Sequence, residues 1–166
     1  MIGLDTNVLL RYLAQDDPTH SPRATEIIER RLTEQEPGFV SLVSILEVVW
    51  VLKSLFKRSR QQIANDIEMI LAADTLDVQN EQEVYYAVIS LRNGIGTFED
   101  ALIGSLGVWR GCSATLTFDE DAAKQLPGFQ LALLIKRRQV VRFSLPGPQV
   151  RGTGDGRQVT NSSGDA

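Results

Sequence analysis

Met1-Ile2-Gly3-Leu4 is a short apolar run that stops at an acid, a hydroxyl and an amide, Asp5-Thr6-Asn7. An amphipathic segment (Val8, Leu9, Leu10, Tyr12, Leu13) follows at once. That order predicts a short buried strand, a polar turn and the start of a helix. After a turn at Gln15-Asp16-Asp17-Pro18, residues 19–34 place Ala24, Ile27, Ile28 and Leu32 on one stripe, the spacing of a surface helix broken by Pro37-Gly38. Phe39-Val40-Ser41 has the length of a second strand. Residues 44–56 are apolar nearly all round; their length favours a buried helix, with Trp50 in the core. Ile63, Ile67, Ile70 and Leu71 mark a further helix, and Leu76-Asp77-Val78 a third strand. Val84, Tyr85, Val88 and Leu91 mark a helix over 80–92, and Phe98–Trp109 is helical after the loop Asn93-Gly94-Ile95-Gly96. Residues 114–118 alternate like a strand, 120–126 form a short helix, and Phe129–Leu131 is a last strand.

Strands alternating with helices are the pattern of βαβ units. The expected fold is α/β: a three-layer sandwich around a central, mostly parallel sheet of four to five short strands. The periodicity fails beyond Leu134. Residues 1–132 are therefore expected to be the folded domain and 133–166 a C-terminal extension, with a possible strand over 139–145 and a flexible Gly/Ser/Pro-rich stretch from about 146.

Composition narrows the chemistry. No run of 18 apolar residues exists, so no membrane span is expected, and the first residues lack the layout of a signal peptide. One cysteine, Cys112, excludes an intrachain disulfide and fits a cytoplasmic protein. One histidine, His20, leaves no His/Cys zinc site within the chain, so a catalytic metal must be held by oxygen. The net charge of −4 is uneven: six cations against two acids make 133–166 about +4, leaving about −8 for the rest. An acidic body argues against broad electrostatic binding of nucleic acid, but not against a small acidic metal pocket flanked by cations.

Four acids fall where a strand end or polar turn meets a helix: Asp5, Glu47, Asp100 and Asp119. Two readings apply to each. Ser44-x-x-Glu47 and Thr97-x-x-Asp100 match the capping box, and Asp5 and Asp119 suit N-caps. Alternatively, an apolar helix that spends an early position on a carboxylate marks a functional site. Spacing cannot decide whether the four converge.

The motifs themselves resemble a known family. Ile2-Gly3-Leu4-Asp5-Thr6-Asn7-Val8-Leu9 is similar to the opening signature of PIN-domain proteins, specifically the VapC-type toxins of toxin–antitoxin pairs. Ser44-Ile45-Leu46-Glu47-Val48 resembles the second motif and Phe98-Glu99-Asp100-Ala101-Leu102-Ile103 the third. Thr115-Leu116-Thr117-Phe118-Asp119, with Leu126-Pro127-Gly128-Phe129, resembles the closing segment. Order and spacing match from Met1 to about Ala132.

The resemblance implies a metal-dependent endoribonuclease that hydrolyses single-stranded RNA. Asp5, Glu47, Asp100 and Asp119 would be catalytic, and Asp5, Asp100 and Asp119 would hold Mg²⁺ or Mn²⁺. Thr6 would assist through its hydroxyl and Asn7 would brace the loop. Glu99 and Asp121 are rivals to Asp100 and Asp119. Arg11, Lys53, Lys57, Arg58 and Arg60 are candidate RNA contacts. A cognate antitoxin and a homodimer are the implied partners. The competing expectation is a catalytically weak PIN module that binds RNA or a protein without cutting.

Overall fold

The structure, a computed structural model, describes residues 1–132, which lie within one compact unit, Met1–Ile135. The expectations for 133–166, including the strand over 139–145, fall outside the described residues. Strand β1 (Ile2–Gly3) runs straight into helix α1 (Thr6–Ala14). Helix α2 (His20–Glu26) continues as a π-helical turn over Ile27–Arg31, and β2 (Gly38–Val40) leads into α3 (Leu42–Ser54). Next come α4 (Arg60–Leu71), β3 (Leu76–Val78), α5 (Glu81–Arg92) and α6 (Phe98–Trp109). The described chain closes with β4 (Thr115–Thr117), α7 (Glu120–Gln125) and β5 (Phe129–Leu131).

All strand pairs are parallel, as the βαβ pattern requires, and the fold is an α/β sandwich. The hydrogen-bonded ladder is interrupted, however: β1, β2 and β3 form one sheet with β2 central, while β4 and β5 pair separately. Because β1 is an edge with only two residues in the ladder, it is not the buried strand expected; Ile2 is exposed and burial starts at Leu4. The close approach of β2 to its surroundings depends on Gly38. A methyl group there would stand 2.7 Å from the Leu32 side chain and 2.8 Å from that of Leu4, inside van der Waals contact.

Helix α3 is the centre of the domain. Ile45, Val48, Val49 and Leu52 are buried in the same core as Leu9, Ile67, Val84 and Leu102. Its outer face is unexpectedly apolar: Val43 and Trp50 are exposed, Trp50 at 57%. The core position expected for Trp50 is thus wrong. A nearly all-apolar helix suggests burial on every side, but the side of α3 that carries Val43 and Trp50 is left exposed. Tyr85 likewise points outward from α5 while Val84, Val88 and Leu91 point in. The cause is general: an apolar residue on a helix need not face the core.

Two helix starts are closed by hydroxyl caps. Ser59 caps α4 in a complete capping box with Gln62, and Thr97 caps α6 by accepting from the Asp100 N–H. A buried ion pair locks the α3–α4 connection: Arg58 binds the Asp66 carboxylate and also donates to the Leu13 carbonyl at the end of α1. Burial nevertheless raises the Asp66 pKa above the ordinary carboxylate value, with Arg58 opposing the shift, and one Asp66 oxygen has no partner.

Candidate active site

Asp5 stands between the C-terminal end of β1 and the first turn of α1, where open α/β sheets present ligand sites. It occupies the N-cap position, yet its side chain caps no N–H. The exposed carboxylate instead accepts a hydrogen bond from Asn7 Nδ2 at 3.1 Å. The capping reading therefore fails for Asp5, and one carboxylate oxygen remains free for a ligand.

Thr6 is buried at the start of α1, and its hydroxyl donates to Glu47 Oε2 at 2.7 Å. That bond joins residues 41 positions apart and sets the Asp5 turn against α3. The capping box expected at Ser44–Glu47 does not form either. Ser41, not Ser44, is the N-cap, so α3 begins earlier and Glu47 falls in its second turn. The Ser44 hydroxyl faces Ser41 and the Leu4 carbonyl, while Glu47 is exposed on the same outer side as Val43, Leu46 and Trp50. No helix end needs the Glu47 charge. An unneeded charge on an apolar face calls for another explanation.

The other two acids are partly occupied locally. The Thr97 hydroxyl donates to Asp100 Oδ2 at 2.6 Å while accepting from the Asp100 N–H. Asp119 caps α7, its Oδ1 accepting from the N–H groups of Asp121 and Ala122. Here the cap reading holds, and Asp121 serves as a donor to Asp119 through its backbone. Glu99 shares a groove of about 490 Å³ between α3 and α6 with Glu47, Trp50 and Ile103.

Two of the four acids, Asp5 and Glu47, are thus joined through Thr6. Among the described residues no three His, Cys, Asp or Glu side chains form a group that could hold a metal ion. The trio Asp5, Asp100 and Asp119 is not preassembled. The donor set remains suited to a hard divalent cation. It is all oxygen, and Mg²⁺ commonly takes only one or two carboxylates together with water and substrate phosphate.

The cations divide into two kinds. Arg11 is held by Asp16 at 2.7 Å, which raises its pKa further, and Arg58 is committed to Asp66. Lys53 and Arg60 have no hydrogen bond or ion pair among the described residues, and Lys57 is exposed at a left-handed turn with φ 54°. His20, expected to be solvated, is exposed, and its backbone N–H and imidazole hold the Asp17 carboxyl down to about 2. A cavity of about 470 Å³ beside Asn7 is lined by Arg11, His20 and Arg23; sequence reading singled out neither its shape nor Arg23. The apolar cavity of about 500 Å³ between α5 and α6, lined by Tyr85, Tyr86, Trp109 and Phe129, contains none of the four acids. Cys112 is free and exposed.

A family model for the PIN domain matches residues 2–126, spanning all four acids and every element from β1 through α7. The chain belongs to the PIN-domain family. This is generally a nuclease fold whose members use divalent metals such as Mg²⁺ or Mn²⁺ and act on nucleic acid. A search of curated proteins finds no match to the chain. No helix among the described residues of this PIN domain is long and apolar enough to cross a membrane.

Proposed function

We propose that this PIN domain is a metal-dependent endoribonuclease of the VapC toxin type, hydrolysing phosphodiester bonds of single-stranded RNA. The observation that carries the reading is the Thr6–Glu47 hydrogen bond. It ties the residue next to the strand-end acid to the acid of α3, which supports a shared role for two carboxylates that neither helix needs as a side-chain cap.

Asp5 would be the principal metal ligand, with its turn braced by Asn7. Asp100 and Asp119 would contribute from their free carboxylate oxygens. When bound, a divalent cation would supply polarisation of the phosphate and a lowered pKa for water. Glu47, fixed through Oε2 by Thr6, offers its other oxygen to orient the attacking water and take its proton. A new P–O bond forms to the water oxygen as one backbone P–O bond breaks; the departing sugar oxygen takes a proton from solvent, and Glu47 returns its proton to solvent. Water as nucleophile needs neither the 2′-hydroxyl nor a histidine pair.

An antitoxin fits the groove between α3 and α6. Val43, Trp50 and Ile103 expose a continuous apolar strip beside Glu47 and Glu99, suited to a partner segment that covers the acids. Dimerisation would use further exposed apolar surface.

The test is cleavage of labelled single-stranded RNA by the full chain with Mg²⁺, with EDTA, and by Asp5→Asn and Glu47→Gln. Metal-dependent cleavage lost in both variants is expected. Among the described residues no three acids form a group that could hold a metal ion, and this favours the second reading, a module that binds without cutting. RNA binding with no cleavage at any metal concentration would establish that reading instead.

A further inference from the structure

A small cavity of about 200 Å³ lies where the end of α3, the start of α4 and the start of α6 meet. Its polar lining is Lys53, Arg58, Arg60, Thr97 and Glu99, over a floor that includes the buried Phe98. Three cations converge on a domain whose body is otherwise acidic. Arg58 spends its charge on Asp66, but Lys53 and Arg60 have no ion pair among the described residues, not even with Glu99 in the same cavity. Both side chains are exposed, so their charges stay available to an anion that enters the cavity from solvent.

Size and position say which anion. At about 30 Å³ per water, the cavity holds a phosphoryl group and a few waters; nucleotide or cofactor pockets start at about 300 Å³. Glu99 and Thr97 place it beside the acids. Glu99 also lines the groove that holds Glu47, and Thr97 binds Asp100. Lys53 is six residues beyond Glu47 on α3, about 9 Å along the helix axis. That offset sets the cavity to one side of the groove that holds Glu47. Arg60 is also restrained: it follows the boxed N-cap Ser59, and its Nη1 lies 3.5 Å from where a side chain at Gly94 would begin.

We infer that this cavity is a subsite for a backbone phosphate of single-stranded RNA, adjacent to the one that is cut. Lys53 and Arg60 hold the phosphate. Arg58 serves as the structural wall that fixes the α3–α4 connection. The inference rests on the nuclease reading for the identity of the polymer and for the neighbouring phosphate that is cut; the binding of a backbone phosphate by Lys53 and Arg60 does not.

The experiment measures binding and cleavage separately on the full chain. Fluorescence anisotropy with a labelled single-stranded RNA, in EDTA over a salt series, compares the wild type with Lys53→Gln/Arg60→Gln and with Arg30→Gln, an exposed cation elsewhere. The double variant is expected to bind about tenfold more weakly, since hydrogen bonds to charged groups contribute that much or more. Its log–log salt slope should flatten by about 0.7, the value for one phosphate of a single strand. Arg30→Gln should match the wild type. Equal affinity in the double variant, or an equal loss in Arg30→Gln, overturns the subsite. Inorganic phosphate should compete with RNA in the wild type. If phosphate instead raises the wild-type melting temperature while the double variant keeps full RNA affinity, the cavity is a free-anion site and the RNA assignment is wrong. Metal-dependent cleavage is the independent readout: its absence with the binding pattern intact defeats the nuclease reading and leaves the subsite standing. Cleavage unaffected by the double variant at subsaturating RNA does the reverse.

Discussion

Replacing Thr6 by valine removes a single hydroxyl from a buried side chain and keeps its volume, so the core around α1 is disturbed as little as a substitution allows. What is lost is the 2.7 Å bond to Glu47 Oε2. A hydrogen bond to a charged group contributes about 1.5–3 kcal/mol, but the exposed Glu47 carboxylate regains water when released, so the net stability loss should be about 1 kcal/mol. For a domain of this size that lowers Tm by roughly 3–6 °C. Glu47→Gln is the complementary change. The amide oxygen still accepts from Thr6, so stability should stay within about 0.5 kcal/mol, while the charge is gone. The two variants therefore separate anchoring from chemistry. Urea denaturation and RNA cleavage in Mg²⁺ are measured on each variant and on the double variant. Thr6→Val should lose activity through misplacement of Glu47, by about tenfold or more, since small displacements of a catalytic group are costly. Glu47→Gln should lose more activity at nearly native stability, and the double variant should be no worse than Glu47→Gln alone. Full activity in Thr6→Val despite the lower Tm would refute the reasoning. Thr6 would then be a structural tie between α1 and α3, with no part in positioning a catalytic acid.

Two further outcomes concern stability. Gly104→Ala would place a methyl 2.6 Å from the ring of the buried Phe129. The strain, about 1–3 kcal/mol, should exceed the helix propensity gained, about 1 kcal/mol, whereas Gly3→Ala meets nothing within 4 Å and should be neutral or stabilising; urea midpoints decide, and Phe129→Leu should rescue Gly104→Ala in part. Asp66 has a raised folded pKa, so between the unfolded value near 3.8 and that raised value the native state holds more protons than the unfolded chain. Stability from this group must fall as pH rises through the window. Asp66→Asn should flatten that part of the pH–stability curve, and an unchanged slope would show that Arg58 compensates the buried charge fully.

Much of this architecture was legible in the sequence because it rests on local rules. The alternation of short apolar runs with 3.6-residue stripes located the strands and the helices to within a few residues. The turn at Asp5 followed from an acid placed directly between an apolar run and an amphipathic one. Errors arose where a residue's role depends on a distant partner. Nothing near Trp50 in the sequence indicates that one side of α3 lacks a neighbour. Ser44 looked like a cap because Glu47 stood three residues on, yet Ser41 is one turn earlier and takes the position. The division of the strands into two separate ladders, β1–β3 and β4–β5, has no local signal at all.

The same distinction explains why the four acids were ambiguous singly and are not equivalent in three dimensions. A capping carboxylate is defined by N–H groups two or three residues away, and Asp119 satisfies that definition. A catalytic carboxylate is defined by what reaches it from elsewhere in the chain. Glu47 has such a contact in Thr6, from 41 residues away, while its own helix is capped by another residue. Asp5 has the strand-end position without the capping bonds. These two depart furthest from what local structure requires, so their charges are the ones left for function to explain. Asp100 and Asp119 can serve both roles, because each keeps one carboxylate oxygen outside its local bonds.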